Sequence, residues 1–138
     1  SPARSRSIFT FRGWRILPVI CYDMRFPVWC RNVSNEYDIL IAVANWPRPR
    51  REVFRTLLRA RAMENLSYVI GVNRVGEDPN RLVYSGDSVI IDPRGKALVE
   101  AEEGADTVIT ATLDYAPLQD LRQKFPVWAD ADPFLLQI

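Results

Sequence analysis

Three short apolar runs, at residues 14–20, 39–44 and 68–73, constrain the fold more than anything else in this chain. Each is nearly continuous in apolar residues, the pattern of a strand covered on both faces. Between the second and third lies the clearest helix, from residue 50 or 51 to about 66. There Val53, Leu57, Ala60 and Met63 repeat at helical spacing, and Phe54, Leu58 and Ala62 widen the apolar face. Strands alternating with a helix of this length predict an α/β fold with a mixed sheet.

The rest of the chain extends that frame. Residues 8–11 read as a short strand joined to the 14–20 strand by a turn at Arg12-Gly13. Pro18 marks an edge or irregularity, because proline cannot donate to a ladder. A short helix is predicted from Pro27 to about Val33, broken by Ser34-Asn35-Glu36. Pro47 and Pro49 make 45–49 a loop, and 77–80 is another. Residues 88–92 and 97–100 flank Pro93-Arg94-Gly95 as a hairpin. A further strand is expected over 106–113 and a helix over 116–123, with an irregular stretch at 125–128 and a solvated acidic tail at Asp130 and Asp132.

The charge balance excludes some partners. Eighteen Lys and Arg stand against seventeen Asp and Glu, a net charge of +1, so the chain carries no electrostatic footprint for nucleic acid or a membrane surface. No apolar run approaches a membrane span, and the charged start at 1–7 is not followed by a signal-peptide core. There is no histidine. That excludes a Cys-His dyad, a Ser-His-Asp triad and a histidine-ligated metal site built from this chain alone. Two cysteines, Cys21 and Cys30, without a CxxC spacing fit a reducing cytoplasm rather than a disulfide framework.

Cys21 is where the strand over 14–20 stops. A polar patch follows, Tyr22-Asp23-Met24-Arg25-Phe26, then Pro27. A strand turning sharply into a helix is one way to hold a nucleophile out from a scaffold. By position alone, the commoner reading of an unpaired cysteine is a small buried hydrophobe, and that reading covers Cys30 as well.

The wider sequence changes the weighing for Cys21. Arg12-Gly13-Trp14-Arg15-Ile16 leads to Ile20-Cys21-Tyr22-Asp23-Met24-Arg25-Phe26-Pro27. Ala44-Asn45-Trp46-Pro47, Arg59-Ala60-Arg61-Ala62-Met63-Glu64-Asn65 and the run from Tyr68 to Gly76 follow. Then come Tyr84-Ser85-Gly86-Asp87-Ser88, Asp92-Pro93-Arg94-Gly95 and Lys124-Phe125-Pro126-Val127-Trp128. In this order, they resemble the carbon–nitrogen hydrolase (nitrilase) superfamily, in particular its omega-amidase branch. The resemblance implies an α-β-β-α sandwich of which this chain is part. It also implies a Glu-Lys-Cys triad, a thioester intermediate, a small omega-amide of a 2-oxo dicarboxylic acid as substrate, no cofactor or metal, and a homo-oligomer.

Under that resemblance Cys21 is the nucleophile and the backbone N–H of Tyr22 helps form an oxyanion hole, while the Tyr22 side chain packs. Asn45 and Trp46 border the substrate pocket. Asp23 and Arg25 support the elbow through ion pairs or caps, Arg61 and Glu64 form a structural pair, and Asp87 and Ser88 brace the pocket or a turn. One departure matters. The family's catalytic Glu and Lys precede the cysteine, and residues 1–20 contain neither. The expectation is therefore that residues 1–138 form the C-terminal portion of one family domain, complemented by an N-terminal half. Half a sandwich leaves an apolar sheet face open. The rival readings are an inactive binding or assembly module and another member of the superfamily, a nitrilase or a carbamoylase.

Overall fold

The computed structural model describes residues 5–134, so part of the charged start at 1–7 lies outside the described residues. In chain order the elements are β1 (Phe9–Phe11), β2 (Trp14–Ile20), α1 (Pro27–Cys30), β3 (Ile39–Ala44), α2 (Arg51–Asn65), β4 (Tyr68–Asn73), β5 (Val75–Glu77), β6 (Val83–Ser85), β7 (Val89–Ile91), β8 (Ala97–Glu100) and α3 (Tyr115–Lys124). Short 3-10 turns occupy Cys21–Arg25, Val33–Asn35, Arg48–Arg50 and Val127–Asp130. Six strands form one mixed sheet in the order β1-β2-β3-β4-β7-β8, and β5 and β6 pair as a separate hairpin. No helix among the described residues is long and apolar enough to cross a membrane.

The sheet starts as a hairpin because Arg12 and Gly13 both take positive φ, 48° and 84°. A two-residue turn of the primed kind requires this, and glycine supplies one of the two positions without strain. β1 pairs antiparallel with β2 only over Trp14 to Ile16, so Pro18 lies beyond its end and has a ladder neighbour on the β3 side alone. β2, β3 and β4 then run parallel, joined by crossovers that carry α1 and α2.

Alternation along the strands decides what each face does. Leu17 and Val19, Leu40, Ala42 and Ala44, and Val69 point to one face and are buried under Phe54, Leu58 and Ala62 of α2. Of the row expected to centre the apolar face of α2, Val53 and Met63 are exposed, while Leu57 and Ala60 are half-buried and Leu57 packs against the edge of this core. Two apolar stripes lie side by side on this helix, and close approach to the sheet selects one. Gly71 on β4 leaves room for Leu58, since a Cβ there would come within 2.4 Å of a Leu58 methyl carbon. Arg61 and Asn65, polar but buried with hydrogen-bond partners, complete that face.

On the opposite face Ile16, Ile39 and Tyr68 pack against Leu118 of α3 and Leu113. Asp114 caps α3, its carboxylate accepting from the Ala116 N–H at 3.1 Å. Arg122 then ties the helix down. It donates to Asp38 at 2.7 Å and to the carbonyls of Tyr37 and Leu66. Asp38 is fully buried and also accepts from the Arg15 backbone and guanidinium. Burial pushes the Asp38 carboxyl up, but hydrogen bonds from Arg15 and Arg122 outweigh it and hold its pKa below the ordinary aspartate value.

Three expectations are corrected. The helix expected over 27–33 is only Pro27–Cys30: Arg31 leaves helical geometry and Asn32 instead binds the Tyr37 N–H and carbonyl. The hairpin of β5 and β6 was not anticipated around the 77–80 loop. Residues 106–113 form no strand. Their β-branched residues suit one, but the segment passes beside the sheet face and shares a cleft with Ile70, Val72 and Ile90 instead of pairing at an edge. Propensity does not make a strand where the segment's path takes it away from a ladder.

Candidate active site

Cys21 is the first residue past β2, and its φ is 45°. A non-glycine residue in this left-handed region costs roughly 1–2 kcal/mol, and such strain persists only where the surroundings impose it. Here they do. The Asp23 carboxylate accepts the Ile20 N–H at 3.0 Å and closes the corner from below. Arg61, from α2, donates from two guanidinium nitrogens to the Met24 carbonyl, at 3.0 and 2.6 Å, and its third branch meets Glu64 at 2.7 Å. Met24 is itself fully buried. The elbow is therefore pinned by a carboxylate on one side and a buried guanidinium on the other.

An open cavity of about 430 Å³ lies over the elbow, lined by Cys21, Tyr22, Arg25, Asn45, Trp46, Pro47 and Arg50. Asn45 offers its carbonyl to the Cys21 thiol at 3.9 Å. Trp46 forms the floor. It is 3% exposed, packs on Phe54 at 5.5 Å between ring centroids, and donates its indole N–H to the Arg50 carbonyl at 2.7 Å.

The backbone of Trp46 is gripped from β4. Asn73 accepts its N–H at 2.7 Å and donates to its carbonyl at 3.0 Å, with a further bond to the Gly86 carbonyl at 2.8 Å. The Asn73 N–H is in turn taken by the Ser88 hydroxyl at 3.0 Å. Asp87 braces that turn in a positive-φ conformation of its own, accepting from Ser85, Arg51 and Arg55. Burial raises the Asp87 carboxyl pKa, but the bonds from Arg51 and Ser85 prevail and lower it overall.

The structure thus brings Cys21, Tyr22, Arg25, Asn45 and Trp46 to one cavity, with Asp23, Arg61 and Glu64 behind the elbow. Tyr22 is 63% exposed, its ring edge-on against Phe26 and beside Arg25, so packing in the interior is not its role. Arg25 has no salt bridge among the described residues; its guanidinium lies over the Trp46 ring at 4.9 Å. Cys30 is fully buried in the main core, where burial raises its thiol pKa.

Arg50 and Asn73 were not singled out by sequence reasoning. A polar residue ending an apolar strand was the available signal for Asn73. Arg50 had none, being one of four arginines in the stretch 48–55 with the same local character as the others.

Comparison with known proteins gives the arrangement its family. The model of the carbon-nitrogen hydrolase family matches residues 2–123. The chain is 52% identical to the omega-amidase YafV of Escherichia coli, over 96% of this chain and 51% of that protein. It is 37% identical to the 2-oxoglutaramate amidase of Bacillus subtilis, over 88% of this chain and 47% of that protein. The crystal structure of XC1258 from Xanthomonas campestris, a CN-hydrolase superfamily protein with an arsenic adduct in its active site, superposes with a TM-score of 0.95 at 44% identity. That match covers 99% of this chain and 54% of XC1258. The chain spans about half the length of the curated relatives it matches. With its mixed sheet, the elbow at Cys21 and a family match over most of its length, this chain belongs to the carbon-nitrogen hydrolase (nitrilase) family, in the omega-amidase-like branch.

Proposed function

We propose that this chain carries the nucleophile of an omega-amidase, which converts 2-oxoglutaramate or 2-oxosuccinamate to the 2-oxo acid and ammonia. The observation that carries the reading is Cys21, held in a strained conformation at the end of β2 and lining an open cavity. The relatives named above support the substrate class.

In this reading the Cys21 sulfur attacks the amide carbon and a C–S bond forms. The carbonyl π electrons move onto oxygen, where the Tyr22 backbone N–H faces the developing charge. Collapse of the tetrahedral intermediate breaks the C–N bond, and ammonia leaves with a proton taken from the thiol by way of the base. Water then attacks the thioester, restoring the thiol and releasing the acid. Asn45, Trp46 and Arg25 wall the pocket, and Asp23, Arg61 and Glu64 hold the elbow.

The base is not among the residues lining the cavity, which include no carboxylate among those described. The family's glutamate and lysine belong, in this proposal, to a preceding N-terminal portion of the same domain. Two facts support it. The chain spans about half of its relatives. Ile20, Val43 and Val72, aligned across β2, β3 and β4, are 72%, 53% and 45% exposed, an apolar row of the kind a second layer covers. The exposed Val53 and Met63 on α2 support association into a homo-oligomer, and two unpaired cysteines support a cytoplasmic setting.

The test is ammonia release from 2-oxoglutaramate, measured for the 138-residue chain and for the chain joined to its N-terminal portion. We expect the first to be silent and the second active, with Cys21→Ala abolishing turnover. Activity of the short chain that disappears with Cys21→Ala refutes the division of the site and keeps the nucleophile. Activity that survives Cys21→Ala refutes the nucleophile.

A further inference from the structure

Arginine is abundant at the entrance to α2, and its members differ in one respect. Arg48 pairs with Glu103 at 2.9 Å. Arg51 pairs with Asp87 at 2.5 Å and with Glu103. Arg55 pairs with Glu100 at 2.6 Å and reaches Asp87 at 3.3 Å. Arg50, in the middle of this run, has no carboxylate within salt-bridge distance among the described residues, and it lines the Cys21 cavity.

Its position makes the lack of a partner informative. Arg50 precedes the first turn of a fifteen-residue helix, where the macrodipole disfavours a cation. Its carbonyl is held by the Trp46 indole N–H, so its backbone is fixed against the cavity floor while its side chain remains exposed. Arg25, the other cation of the cavity, is engaged face-on with Trp46. The cavity therefore contains two guanidinium groups and no carboxylate among its described lining; neither has a salt bridge among the described residues, and Arg25 is held over Trp46 while Arg50 has no such contact.

We infer that Arg50 is a specificity residue that binds the carboxylate at the far end of the substrate while the amide meets Cys21. This rests on the amidase reading and deepens it: the site selects amides of dicarboxylic acids over uncharged amides because a planar guanidinium fits a carboxylate with two parallel hydrogen bonds. Lysine retains the charge but not the fork.

The experiment compares 2-oxoglutaramate with butyramide, which has no carboxylate, in the full-length enzyme and its Arg50→Gln and Arg50→Lys variants. The readout is the ratio of kcat/KM for the two amides, taken from one preparation so that the folded fraction cancels. Loss of a charge-assisted bond predicts that Arg50→Gln lowers the ratio about ten- to a hundredfold, chiefly through KM for 2-oxoglutaramate. Arg50→Lys is expected to fall between. Raising the salt concentration should raise KM for 2-oxoglutaramate in the parent enzyme and much less in Arg50→Gln. A ratio unchanged in Arg50→Gln overturns the inference while Cys21-dependent turnover of either amide preserves the amidase reading. A parent enzyme that hydrolyses neither amide overturns both.

Discussion

Replacing Asn73 with alanine isolates the grip that shapes the cavity floor. Asn73 is buried and makes three hydrogen bonds through its side chain, two of them to the backbone of Trp46. Truncation leaves the buried Trp46 N–H without its acceptor, at a cost of about 1–3 kcal/mol, and removes donors from two carbonyls at about 0.5–1.5 kcal/mol each. Partial relaxation and water entry reduce the sum, so the expected destabilisation is ~2–4 kcal/mol. Urea unfolding of the full-length protein, followed by tryptophan fluorescence, measures it through the shift in midpoint at constant m. The same change frees the Asn45-Trp46 wall, so kcat/KM for 2-oxoglutaramate should fall beyond what the folded fraction explains. Asn73→Asp gives a second signature. It retains the acceptor for Trp46 but sets a carboxylate against two carbonyls, so burial and those carbonyls raise the pKa of the new acid. Its penalty should therefore shrink as pH falls through that raised value, when the protonated acid donates again. A loss below about 0.5 kcal/mol in Asn73→Ala, within the range of an ordinary surface substitution, would refute the reasoning.

Other outcomes follow from the same geometry. Asp38 is held below the ordinary aspartate pKa in the folded state, so its contribution is fully present above about 3.9 and is lost as pH falls through the lower folded value. Asp38→Asn should flatten the acid limb of a pH–stability curve and, by leaving the buried Arg122 without its counter-charge, cost about 3–5 kcal/mol at neutral pH in chemical denaturation. Cys21→Gly should abolish turnover yet stabilise the fold by roughly 1 kcal/mol in calorimetry, because glycine accepts positive φ without strain. Gly71→Ala should destabilise by about 1–3 kcal/mol through the clash with Leu58, and combining it with Leu58→Ala should cost less than the sum of the two single changes in a double-mutant cycle.

Much of the scaffold was legible before any coordinate was known. β2, β3 and β4 were read to the residue, since a buried parallel strand is a nearly continuous apolar run with a sharp polar end. The helix over α2 was equally plain, and so was the elbow at Cys21, because a strand that stops at a thiol followed by a polar turn is a local pattern. What local pattern did not reveal were choices between equivalent candidates. Two apolar stripes share α2, and only the room at Gly71 decides that Leu58 rather than Met63 faces the sheet. Residues 106–113 have the composition of a strand, and only the assembled fold shows them running beside Ile70, Val72 and Ile90 without pairing at a sheet edge.

The site divides in the same way. Sequence by itself determined the chemistry available: a cysteine at a strand end in a chain without histidine, on an α/β scaffold, with aromatic and amide residues on the next strand's loop. Tertiary structure alone decided which charges are spent. Arg48, Arg51 and Arg55 find carboxylates from the 87–103 region and Arg50 finds none among the described residues, although the four look alike in the chain. Asn73 reaches Trp46 across twenty-seven residues of sequence. Periodicity and turn chemistry act over a few residues, whereas hydrogen-bond and charge partners are selected by contacts between distant segments. Those contacts exist only once the sheet has assembled.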